Sequence, residues 1–162
     1  MSVIKNIYDS YRRPATVFQS FVTDYFEEKT ALGFLAGGCL LAFISYWPAA
    51  ARDAHLSDQT LDMVLGAALF AWIFIAPLLF YAFAGILTLA LFIGGLKGIG
   101  LPLRLSLFWS FLAAAPWMLL YGLAGGFLGQ GLLTNSIGII WLGVFVWFLT
   151  CAFRALRGGA DE

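Results

Sequence analysis

Charge is what this sequence has least of. Among 162 residues only 11% are Asp, Glu, Lys or Arg, against 62% hydrophobic and 17% aromatic, whereas soluble domains carry roughly a quarter charged. The scarcity is uneven: no charged residue occurs from Thr30 to Ala51, from Met63 to Leu96, or from Leu105 to Phe153. The lone histidine, His55, lies outside those stretches, and the two cysteines, Cys39 and Cys151, lie within them.

Each absence removes a class of mechanism. Ionisable side chains inside spans are the usual mark of proton relays, ion pathways and voltage sensors, so a coupled pump is not expected. With one His, and no Ser or Cys set beside a plausible base, acyl transfer and proteolysis lack their parts, and no enzyme is expected. No histidine sits in a span to ligate a haem, and no P-loop, dinucleotide fingerprint or zinc spacing occurs, so no cofactor is expected. Two isolated thiols do not make a disulfide framework or a metal site. A formal net charge of zero gives no basis for nucleic-acid binding.

What is there is apolar length. Each charge-free gap exceeds the roughly 20 residues that a helix needs to cross a hydrocarbon core of about 30 Å. The last is long enough for two crossings, and GGFLGQGLLTNS (125–136) interrupts it with residues suited to a surface turn. The reading is an all-α, polytopic transmembrane helical bundle with four spans, about 31–49, 63–93, 105–126 and 136–153; five spans is the alternative. Residues 1–30 form a cytoplasmic amphipathic segment, 31–153 one transmembrane domain, and 154–162 a cytoplasmic tail. The first 29 residues mix polar with aromatic side chains and lack the layout of a signal peptide, so the first apolar run reads as a retained span.

Four spans put both termini on one side. That side carries Lys5, Arg12, Arg13, Lys29, Lys97, Arg104, Arg154 and Arg157, and the other only Arg52. Basic residues near span ends stay in the cytoplasm, so both termini and the 94–104 loop are expected there. Trp47 and Trp109 fit an interfacial aromatic belt, with Trp141 and Trp147 flanking the fourth span more loosely.

Several local patterns suggest how the spans work. Val17, Phe18, Phe21, Val22, Tyr25 and Phe26 recur at helical spacing behind Pro14, which predicts an amphipathic helix lying in the cytoplasmic interface; packing of that face on other helices is the competing reading. Pro77 falls inside the long charge-free run, where it removes a backbone donor and should kink the helix. APLLFYAFAG (76–85) is partly echoed by APWMLLYGLAG (115–125), so Pro116 is a second expected kink, and Tyr81 and Tyr121 are candidate polar groups of a cavity. Gly33 with Gly37 and Gly122 with Gly126 are GxxxG pairs suited to close helix packing. Asp53, His55, Asp58 and Asp62 form an external polar cluster; loop solvation is the ordinary reading, and a divalent cation on His55, Asp58 and Asp62 the sharper one.

Taken together, the segment from Arg13-Pro14 to Phe18, the closely spaced spans, Ala76-Pro77 in one span, Ala115-Pro116 in the next and the short charged tail resemble the bacterial branch of the Yip1 family. The stretch from His55-Leu56 through Leu61-Asp62 into APLLFYA looks most like small alphaproteobacterial members. The resemblance implies a multi-pass inner-membrane protein without enzymatic activity, and it brings no catalytic residues. A short amino terminus and four spans depart from the eukaryotic pattern, so GTPase binding is not carried over. The expected function is that of a membrane scaffold, accessory subunit or membrane organiser, with the lipid bilayer and a membrane-protein partner or a second copy as companions. The alternative is a small-solute transporter or channel with a cavity between spans two and three.

Overall fold

The computed structural model describes residues 3–23, 27–57, 60–95 and 98–158, and every regular element among them is helical. Two short helices come first, α1 (Val3–Arg12) and α2 (Pro14–Thr23). The first long helix, α3, is Glu28–Leu56. The second is built from α4 (Leu61–Phe70), a π-helical turn at Ala71–Ile75, and α5 (Ala76–Ile93). The third is α6 (Gly100–Ala113) followed directly by α7 (Ala115–Leu128), and the fourth is α8 (Leu132–Gly158). Four helical stretches are therefore long and apolar enough to cross a membrane: Glu28–Leu56, Leu61–Ile93, Gly100–Leu128 and Leu132–Leu156.

Their ends follow the chemistry of the turns. Gly94 and Gly95 close α5, with Gly95 at φ 92°, and Gly98 at φ 78° leads into α6; side chains rarely adopt this region. Gly129, at φ 74°, stops α7, and only three residues separate α7 from α8. The turn is thus shorter than 125–136, because Gly125 and Gly126 stay helical and are used for packing.

Spans one and three form the centre. α3 packs along both α6 and α7, span two leans on α3 and α6 from one side, and α8 covers α6 and α7 from the other. Within the chain, 39% of the apolar window of spans one and three is buried, against 6% for span two and 11% for span four. Every residue from Leu105 to Ala113 in α6 is buried, as expected of a helix that is apolar all round.

Two expectations are revised here. The apolar face of the amino-terminal helix does not lie open to lipid: α2 packs on α8 and α6, with Phe18 at 0% and Phe21 at 4% exposure inside the core. Val17 is half-buried against the same core, and Val22, Tyr25 and Phe26 have side chains outside the described set. Trp109 is not a belt residue either; it is 1% exposed and packs its ring edge-on to Phe21 and Phe34. Trp47, by contrast, is about half exposed.

Candidate functional site

Pro77 and Pro116 are absorbed in different ways. Before Pro77 the helix widens: the Ala76 amide bonds to Ala71 O, five residues back. A π turn of this kind relieves the contact between a proline ring and the preceding turn. Before Pro116 the helix stops, turns through Ala114 at φ −80° and ψ −9°, and restarts with the proline in its first turn.

That break leaves a carbonyl to satisfy. The Trp117 amide donates to Ala114 O at 3.1 Å, three residues back instead of four, so Ala113 O takes its hydrogen bond from elsewhere. The donor is the Tyr11 hydroxyl on α1, at 2.9 Å. One turn earlier on α6, the Trp109 indole N–H donates to Ser10 Oγ at 2.9 Å, a fully buried bond, and Ser10 Oγ–H in turn donates to Asn6 O. The Tyr11 ring also meets Phe148 of α8 edge-on. Burial pushes the Tyr11 phenol up from its ordinary value. Ser10 and Tyr11 thus pin the amino-terminal arm to the interrupted third span. Neither was marked by periodicity; for Tyr11 the signal is a helix-breaking proline whose freed carbonyl needs a partner.

A second constellation joins three spans at one end. Glu28 Oε1 on α3 accepts from Arg104 Nη1 on α6 at 2.7 Å and from the Tyr81 hydroxyl on α5 at 3.2 Å, while Arg104 Nε donates to Gly100 O. Tyr81 also packs on Phe108, and it lines a lateral groove with Gly85, Thr88 and Arg104. Tyr121 sits elsewhere, between α7 and α8, with its ring over Gly138 in an apolar groove shared with Met118, Asn135 and Trp141. The expectation of one cavity shared by Tyr81 and Tyr121 is therefore corrected: Tyr81, on the second span, lines a groove beside Arg104, and Tyr121, on the third, a separate groove against α8.

The glycine pairs divide as well. A methyl on Gly122 would overlap the Ser45 carbonyl of α3, and one on Gly126 would overlap Pro48; here the backbones of spans one and three meet. Arg52 reaches over the same junction towards Gly126 O and Phe127 O at 3.4 Å. On α3, the close approach is at Gly38, under the Phe111 ring. Gly37 makes only ordinary contact with Leu112, and nothing lies within 4 Å of a Cβ at Gly33; both instead line a shallow apolar groove.

Among the described residues no three His, Cys, Asp or Glu side chains are grouped to hold a metal ion. His55 ends α3 and Asp62 opens α4, while Asp58 lies outside the described residues.

The fold and these contacts define an all-α helical bundle with four membrane-length helices, held by polar contacts at span ends and at a helix break. Protein-family models, curated proteins and solved structures contain no match to the chain, so the functional reading rests on the residues themselves.

Proposed function

We propose that the protein is a non-enzymatic, multi-pass inner-membrane protein of the Yip1 type that acts by packing, as a scaffold or accessory subunit. The observation that carries this reading is the second span: 33 residues of mean hydropathy 2.4, of which only 6% of the apolar window is covered by the rest of the chain. Phe70, Phe74, Leu78, Ile86 and Leu89 are all exposed along it. In a bilayer, association between helices is driven by packing and polar contacts, and a helix held at the edge of its own bundle has surface left for another protein. The basic residues favour cytoplasmic termini, which puts the Glu28–Arg104 pair at the cytoplasmic ends of spans one and three.

The test is quantitative co-purification of the tagged protein in native membrane discs, with mass spectrometry of proteins and lipids. A stoichiometric membrane-protein partner, lost when Phe70, Phe74 and Leu78 are changed together to alanine, is the expected result. A protein that purifies with no partner, and whose deletion leaves membrane lipid composition unchanged, would overturn the reading.

A further inference from the structure

Between the amino-terminal arm and span one lies a crevice of about 680 Å³ whose walls are unlike the rest of the bundle. Asn6, Asp9, Arg12 and Arg13 from α1 and its end, with Thr16 and Ser20 from α2, make its polar side; Phe34 and Trp109 close its inner side. The Arg12 guanidinium rests 5.0 Å from the centre of the Tyr8 ring, and among the described residues no side chain pairs with Arg13 or Asp9. Two guanidinium groups against one carboxylate leave the crevice one net positive charge.

The crevice does not end in protein. Val3, Thr30 and Phe34 also border the apolar groove that continues along α3 over Gly33, Gly37, Leu40, Leu41 and Leu112, another 480 Å³ or so. The groove exists because Gly33 and Gly37 bring no side chain to that surface. A cationic polar chamber thus opens directly into an apolar channel on a membrane-length helix.

Depth sharpens the point. Trp109, on the inner wall, is five residues beyond Arg104 on α6, or about 7.5 Å of helix rise. Cations at the margin of the hydrocarbon layer are held by counter-charges or reach to headgroups, and basic pockets between membrane helices suit phosphate headgroups.

We propose that this composite cleft is a binding site for one anionic glycerophospholipid, its phosphate held by Arg12 and Arg13, its headgroup hydroxyls or amine turned to Asp9 and Asn6, and one acyl chain laid over Gly33 and Gly37. The site stands apart from the scaffold reading, since it uses the amino-terminal arm and span one and not the exposed face of span two.

The experiment uses delipidated full-length protein, phosphatidylglycerol added in mixed micelles, and native mass spectrometry to count bound lipid. One tightly held phosphatidylglycerol is expected. Arg12→Gln with Arg13→Gln should weaken it about thirtyfold, the loss of two basic contacts at a membrane surface, whereas Lys5→Gln, an exposed cation on the same helix but outside the crevice, should leave it unchanged. Gly33→Phe, which fills the groove where nothing lies within 4 Å of a Cβ, should also expel the lipid. An equal loss with Lys5→Gln would show diffuse charge attraction and overturn the site, as would undiminished binding by the double variant. If Gly33→Phe has no effect while inorganic phosphate displaces the ligand, the crevice takes a water-soluble phosphate and the lipid assignment falls.

Discussion

At the scale of single residues, the bundle rests on a few atoms for which no substitute fits. Gly122 and Gly126 meet the α3 backbone itself, so a larger side chain has no flexible neighbour to displace. Gly126→Leu should cost about 3 kcal/mol, the upper part of the usual range for overpacking, while Gly33→Leu, with open space around it, should change stability little; reversible unfolding in detergent measures both. Tyr11 presents a different dependence. Its hydroxyl holds Ala113 O, a carbonyl that the break before Pro116 leaves without its usual amide, and Tyr11→Phe should cost about 1–3 kcal/mol by leaving that group unsatisfied. Because burial raises its phenol pKa in the folded state, the neutral form is the one that the fold favours. Its contribution is complete below the unfolded value of about 10 and is lost as pH rises through the raised folded value. Unfolding free energy measured above pH 10 should therefore fall more steeply for the wild type than for Tyr11→Phe.

At the scale of elements, the prolines show what a linear reading captures and what it misses. Pro77 and Pro116 mark the irregular points of their spans, because a missing amide in a membrane helix must have a structural consequence. Whether the helix answers by widening or by breaking depends on neighbours, and so did not follow from the residue. The same limit applies to α2: Phe18 and Phe21 at helical spacing define an apolar face, but lipid and protein offer that face the same solvent, and the choice between them comes from α6 and α8. The Gly122–Gly126 contact was visible in spacing; that Gly38, and not Gly33 or Gly37, takes the close approach on α3 was not, since any small residue on the correct face satisfies the pattern. The π turn yields its own prediction. It accommodates one residue more than a regular helix would over the same rise, so deleting Ile75 together with Pro77→Ala should close it to an α-helix and leave Tyr81 facing Glu28. Deleting Leu79 alone keeps the wide turn and rotates everything beyond it by about 100°, which parts Tyr81 from Glu28 and should lower the unfolding temperature. Equal temperatures for the two deletions would mean that the π turn does not set the register of span two.

At the scale of the whole molecule, polar contacts fasten the bundle at both ends. The Glu28–Arg104–Tyr81 constellation ties spans one, two and three at one end, and Arg52 with Gly129 closes spans one and three at the other. A bundle fastened at both ends has a fixed vertical order, and the eight-to-one split of basic residues favours the orientation proposed above, with cytoplasmic termini. In a background of Cys39→Ser and Cys151→Ser, an impermeant maleimide should label Ser57→Cys in intact cells, because Ser57 follows α3 at the exposed end that carries Arg52. Lys5→Cys should react only after the membrane is opened. The reverse pattern would invert the bundle and place Arg12 and Arg13 against the outer leaflet. Labelling of both sites in intact cells would mean an even number of crossings between them and would overturn the assignment of Glu28–Leu56 as a single span. One protected and one reactive site is the result that a single crossing between residues 5 and 57 requires, and it fixes the side on which the lipid cleft, the Glu28–Arg104 pair and the amino-terminal arm must all lie.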